Sequence, residues 1–349
     1  MGAFRKQIVA SLIFSCACAS LAAERAGYTI TEIGGLSGTY SAKVSGINNS
    51  GQVVGTSANH AFLWEHGVMT DLGTLGGTLS SAHAINDLGQ IVGEASTASG
   101  EIHAFFWEHG VMKDLGLPGE TGSAHGINNR GEIVGASSAK NVRGGAVLWK
   151  NGQWQSLGDL GPSGSGSTAI SINDKGEVVG VSSGFATNRG VVRAVVWQGG
   201  VIRDLGTLGG LHSTANGLNA RGEVIGWSEI GDQSTVAFLW QNGVMRDLGS
   251  LPGSTAQPGT GSQANALNET DQVVGSSLNF RGEMRAVIWE NRRILDLNQL
   301  IPRVAGRVMT RATAINNRGQ IAVEQQTGAD GAAKSYLLTP RHLSRDSES

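Results

Sequence analysis

The strongest constraint on this chain is an internal sevenfold repeat. An Ile/Leu-Asn-x-x-Gly motif recurs with its Asn at Asn48, Asn86, Asn128, Asn173, Asn219, Asn268 and Asn316; Asp271 holds the Gly position of the sixth copy. Successive copies lie 38 to 49 residues apart. A period of that size marks an architecture in which each unit buries its apolar face only against its neighbours. Each of the first six copies is followed by a small residue, two apolar residues and Trp, ending at Trp64, Trp107, Trp149, Trp197, Trp240 and Trp289. Asp-Leu-Gly then closes the unit at Asp71, Asp114, Asp204 and Asp247, with Ser156 at that position in unit three and Asp296-Leu297-Asn298 in unit six.

Each motif has a local reading. Asn with Gly three residues on is a turn signature, and short flanks rich in Val and Ile make it the link between two strands, a and b. The Trp run, as in His60 to Trp64, reads as strand c. A tight turn such as Asn242-Gly243 leads to strand d, as in Val68 to Leu72. No helical periodicity competes with this reading. Four short antiparallel strands in about 45 residues make one propeller blade. The expected fold is all-β, a seven-bladed β-propeller.

The ends of the repeat favour closure. Tyr28 to Gly34 matches a d strand with Glu32 at the Asp position, and unit seven has strands a, b and c, the last at Ser335 to Leu338, before Pro340. The N-terminal strand therefore supplies the fourth strand of the last blade, which removes open sheet edges. Residues 1–23 read as a secretory signal, with Arg5-Lys6, an apolar run from Ile8 to Ala19, and small residues from Ser20 to Ala23. That run falls short of the ~20 residues needed to span a bilayer. The propeller is assigned to 24–340 and a polar tail to 341–349. Both cysteines, Cys16 and Cys18, fall in the leader. The exported domain must then rest on its core without disulfides, which a domain of roughly 300 residues can do.

His60-Ala61-Phe62 and His103-Ala104-Phe105, just before Trp64 and Trp107, resemble the HAF repeat of bacterial extracellular proteins. The resemblance covers nearly all of the chain after the leader. It implies a secreted or cell-surface bacterial protein and supplies no reaction. The sorting anchor of some relatives is not expected in Arg341 to Ser349, which has no apolar span.

A net charge of −2, with 15% charged residues and no Lys/Arg run, gives no footprint for nucleic acid or an anionic membrane. The residue after each turn glycine is Gln or Glu (Gln52, Gln90, Glu132, Glu177, Glu223, Gln272, Gln320), which suits hydrogen bonding at a surface better than acid–base chemistry. The strand-c Trp is assigned to packing between blades, and the Asp of Asp-Leu-Gly to a turn. His60 and His103 read as exposed starts of strand c, too few to hold zinc. Three residues before each Asn lie Ser45, His83, His125, Ile170, Asn216, Asn265 and Thr313. With strand a innermost these face the axis, so His83, His125, Asn216 and Asn265 are the candidate ligand-binding residues. No metal site, cofactor or catalytic set is expected.

The a–b and c–d turns lie on one face and are short. The b–c and d–a connections lie on the other and look long and irregular, as in Ser182 to Val192 and Ser250 to Gln263, with Arg143, Arg189, Arg193, Arg281 and Arg285 scattered among them. Variable loops on a rigid scaffold usually carry binding, so the ligand is expected at the channel mouth on that face. The expected function is a monomeric, secreted binding module for a glycan, small molecule or protein. An enzyme acting on polysaccharide or a lactone, and a structural envelope or matrix protein, are the alternatives. An enzyme is the less favoured, because no pair of carboxylates breaks the repeat.

Overall fold

The computed structural model describes residues 27–38, 42–116, 120–139, 145–161, 166–185, 188–254, 261–302, 307–325 and 334–341. The expected leader and residues 342–349 of the tail lie outside them. The described chain forms seven four-stranded antiparallel sheets, each ordered a-b-c-d. Blade 1 runs Ala42–Ile47, Val53–Ser57, His60–Glu65 and Val68–Asp71. Blade 7 consists of Met309–Ile315, Ile321–Gln325 and Ser335–Pro340, with the N-terminal strand Tyr28–Ile33 outermost. Tyr28 pairs with Pro340 and Ile33 with Ser335, so the ring is closed by the first strand as expected.

The core is a set of layers between blades. Phe62 packs in one apolar cluster with Ala314, Ala322 and Leu337 of the last blade. Phe105 meets Val54 and Ala61 of blade 1, and Phe238 meets Val179 and Ala194 of blade 4. All three rings are fully buried. The strand-c tryptophans divide: Trp64, Trp197 and Trp289 are buried, whereas Trp107, Trp149 and Trp240 are only partly so. All six hold the same place, one residue from the end of strand c, and Phe two residues earlier is fully buried in three of the blades.

The Asn turns lock blade to blade. In every turn the Asn Oδ1 accepts from the backbone N–H groups two and four residues on, as Asn86 does from Leu88 and Gln90. Its Nδ2 donates to the Gln or Glu side chain four residues on, from Asn48–Gln52 through Asn316–Gln320. An amide and a carboxylate both offer the oxygen this needs, which is why they interchange. Two of these residues are not at the surface as expected: Glu132 and Glu223 are buried, while the other five are half-buried. The same Nδ2 also donates to the carbonyl of the next blade's Asn. Six such bonds of 2.9–3.1 Å run around the ring, including Asn316 to Asn48 across the closure. In blade 6 Asp271 takes the left-handed conformation at φ 63° that glycine takes elsewhere, which Asp tolerates better than most residues.

The Asp-Leu-Gly motif is a second turn device. Asp71, Asp114, Asp204 and Asp247 each accept from the glycine N–H two residues on, and Ser156 does the same through its hydroxyl. His60 and His103 are not free strand starts. Their Nδ1 atoms lie 2.8 Å from Asp71 and Asp114, and the His103 side chain is only 11% exposed. Arg285 occupies the equivalent place in blade 6, with its Nε 3.8 Å from Asp296. Arg189, Arg193 and Arg285 belong to strands, not loops. The expected irregular stretch from Ser182 to Val192 is mostly an extended hairpin, with Ser183 opposite Val192 and Phe185 opposite Asn188.

Candidate functional site at the propeller axis

Each blade is a radial sheet, so an ordinary side chain of strand a points at a neighbouring blade. Pointing one at the axis requires an irregularity. Every strand a has a β-bulge three residues before its Asn, between Val44 and Gly46 in blade 1, Ala82 and Ala84 in blade 2, and so on to Ala312 and Ala314. The extra residues are Ser45, His83, His125, Ile170, Asn216, Asn265 and Thr313. Bulges of this kind re-aim side chains, and all seven line one axial cavity of about 620 Å³. The structure thus brings the four candidate residues together.

They also have a structural task. His83 Nδ1 is 3.0 Å from the Ala124 carbonyl of the next blade, and His125 Nδ1 is 2.9 Å from that of Ala169. Asn216 and Asn265 donate through Nδ2 to Ala264 and Ala312 at 2.8 Å. Each side chain satisfies an inner-edge carbonyl of the following blade. A carbonyl only accepts, so Nδ1 carries the proton in both neutral histidines and Nε2 is left as an acceptor. His125 Nε2 accepts from the Ser123 hydroxyl at 2.7 Å. Burial lowers the His125 pKa, opposed by the Ala169 hydrogen bond and Glu94, and His83 lowers it further. The two rings lie 5.6 Å apart.

The cavity is bordered by residues of the Asn turns, whereas the sequence leads one to expect the ligand at the mouth on the long-loop face. The bulged residues stand three positions, about 10 Å, from the turns, and the turns themselves form the rim. Residues following the repeated Asn make a second belt there. The backbone N–H of Asn49, Asp87, Asn129, Ala220, Glu269 and Asn317 donates to the side-chain oxygen of the next blade's residue, at 2.8–2.9 Å. Ala220 has no such oxygen to offer Asp174. This belt is absent from the sequence reading, although its signal is present: Asn, Asp or Glu follows the repeated Asn in six of the seven units. Among the described residues no three His, Cys, Asp or Glu side chains are grouped to hold a metal ion. No described helix is long and apolar enough to cross a membrane.

No protein-family model matches the chain, and a search of curated proteins finds no match. Solved structures do resemble it. The β-propeller domain of the Trilobed protease from Pyrococcus furiosus, described as having an open velcro topology, aligns with TM-score 0.55 and 9% identity over 85% of this chain and 95% of that one. A puromycin-hydrolyzing peptidase of Mycobacterium tuberculosis aligns with TM-score 0.50 and 12% identity over 86% of this chain and 52% of its own. TolB from Acinetobacter baumannii gives TM-score 0.42 and 11% identity over 90% and 64%. This chain therefore spans less than two thirds of the TolB chain and about half of the peptidase. At these identities the likeness shows the propeller fold alone.

Proposed function

We propose that this chain is an exported β-propeller that acts as a binding module, with its ligand in the axial cavity above His83, His125, Asn216 and Asn265. One observation supports this most: His83 Nδ1 and one Nδ2–H each of Asn216 and Asn265 are spent on neighbouring carbonyls, which leaves His83 Nε2 in the neutral ring and both Asn Oδ1 atoms as acceptors for the cavity. His83 Nε2 and the Oδ1 atoms of Asn216 and Asn265 can only accept, and Asp87, Asp174 and Glu269 add carboxylates on alternate blades at the rim. A ligand rich in donors and carrying positive charge fits that lining. A cavity of several hundred Å³ suits a small molecule or the side chain of a partner. The signal-like leader and the HAF-like strings favour action outside the bacterial cytoplasm. Titration of the purified chain with spermidine and with arginine, followed by calorimetry, tests the reading. Binding that weakens at least tenfold in His83→Ala/His125→Ala is the expected result. Failure of both probes, or unchanged affinity in that variant, counts against it.

A further inference from the structure

In a repeat protein a site of its own must break the repeat. Six blades place Gly in strand b opposite strand a: Gly55, Gly93, Gly135, Gly180, Gly226 and Gly275. A Cβ at any of them would collide with the strand-a carbonyl five residues before the repeated Asn, as Gly275 would with Gln263. Blade 7 has Val323 at this position, opposite Ala312. Its strand a accommodates the side chain by yielding. Besides the bulge shared by all blades it has a further one, between Met309 and Arg311, with Thr310 as the extra residue.

Beside that irregularity lies a cavity of about 660 Å³, at the end of the blades where the b–c and d–a connections lie, between blades 6 and 7. Its wall carries Gln263, Ser276, Thr310, Arg311 and Glu324, with Met284 exposed beside them. Arg311 and Glu324 are direct cross-strand partners, yet they form no ion pair within 4 Å. The strand-a position of Arg311 is Ser81, Ser123, Thr168, Thr214 and Gln263 in blades 2 to 6, and only Lys43 of blade 1 is also charged. The equivalent strand-b position of Glu324 is acidic only in blade 2, as Glu94, so a basic residue opposite an acidic one occurs in blade 7 alone. The Glu324 side chain makes no hydrogen bond among the described residues. Burial pushes its pKa up, against the nearby charges of Arg311 and Lys43. The b–c loop of blade 6, which borders the cavity through Gly282 and Glu283, also holds Phe280, 63% exposed with the Arg281 guanidinium over its ring.

We propose that this cleft is a binding site for a neutral saccharide. Vicinal hydroxyls both donate and accept. They can bridge a carboxylate and a guanidinium that face each other without touching, and Gln263, Ser276 and Thr310 add the same mixed chemistry. Met284 offers apolar surface for the C–H face of a sugar ring. The site is separate from the axial cavity and acceptable to an uncharged ligand, so its fate does not depend on the axial reading.

The test is saturation-transfer difference NMR on the full chain with maltose, cellobiose and N,N′-diacetylchitobiose, and with galacturonate as an acidic control. At least one neutral disaccharide gives a signal. Its affinity falls roughly tenfold or more in Arg311→Ala and in Glu324→Gln, each of which removes about 1.4 kcal/mol or more of binding. Arg311 is exposed and Gln is isosteric with Glu, so unfolding midpoints of both variants stay near wild type. His83→Ala/His125→Ala leaves the saccharide signal unchanged. Silence from all three neutral sugars overturns the proposal. So does signal that survives both substitutions, or preference for galacturonate with sensitivity to Arg311→Ala alone.

Discussion

Removal of one repeated asparagine, Asn86→Ala, is the sharpest probe of what the repeat does. The side chain makes four hydrogen bonds: Oδ1 accepts from Leu88 and Gln90 at 3.1 and 3.0 Å, and Nδ2 donates to Gln90 Oε1 at 2.6 Å and to the Asn128 carbonyl at 3.0 Å. Its residue is buried. Truncation leaves two backbone N–H groups and one carbonyl without these partners. A hydrogen bond contributes about 1 kcal/mol net, and leaving a buried group unpaired costs about 1–3 kcal/mol. Water reaching in from the axial cavity offsets part of that. The expected cost is about 3–4 kcal/mol. Leu88→Ala in the same turn removes an exposed side chain and should stay within about 0.5 kcal/mol. Equilibrium unfolding in urea measures both. If Asn86→Ala costs less than about 1 kcal/mol, or no more than Leu88→Ala, the asparagines are not the inter-blade lock described above.

Three further outcomes follow from the same structure. Phe238→Ala, at a fully buried ring, should cost about 3–5 kcal/mol, and Trp240→Ala, only partly buried, about 1–2 kcal/mol; a reversed order in denaturant midpoints contradicts the assignment of the core. Ala220→Asn supplies the side-chain oxygen missing opposite the Asp174 N–H and should raise stability by about 1 kcal/mol, so a lower midpoint counts against the second belt. Burial pushes the Glu132 carboxyl up, but hydrogen bonds from Lys150, Arg130 and Asn128 outweigh it and bring its pKa to about 2. The folded value lies below the ordinary 4.5, so its stabilisation is present above about pH 4.5 and is lost as pH falls toward 2. With screening by solvent, Glu132→Gln should cost on the order of 1 kcal/mol at pH 7. The gap to wild type should close by about pH 2, and a gap independent of pH refutes the ion-pair account.

The architecture was legible because the signals are local and repeated. A lone d strand at Tyr28 and an unmatched c strand at Ser335 leave one pairing that closes the sheet, and that pairing forms. The axial position of His83, His125, Asn216 and Asn265 was equally legible from their offset to the turn. Their attachment to Ala124, Ala169, Ala264 and Ala312 was not, because it depends on a bulge and on carbonyls that carry no sequence signature. The rim of the axial cavity was not legible either: loop variability says where blades differ, but not which residues border the space the bulged side chains enter. Trp240 and the buried Trp289 carry the same local motif, so their different burial was not legible from it. The blade 6–7 cleft did leave a mark, Val323 where six blades have Gly, which becomes informative once that glycine is seen to touch strand a.

Closure of the ring by the first strand is the claim on which the rest depends, and a register-specific cross-link tests it most directly. Thr29 lies opposite Thr339, and its hydroxyl donates to the Thr339 carbonyl at 3.2 Å. In a chain with Cys16 and Cys18 replaced by Ser, Thr29→Cys and Thr339→Cys stand within reach of a disulfide, whose Cα atoms must approach to about 4.4–6.8 Å. Under mild oxidation the account predicts an intramolecular disulfide in high yield on a monomer, with a raised denaturation midpoint. Free thiols after oxidation, or a link that joins two chains, would contradict it.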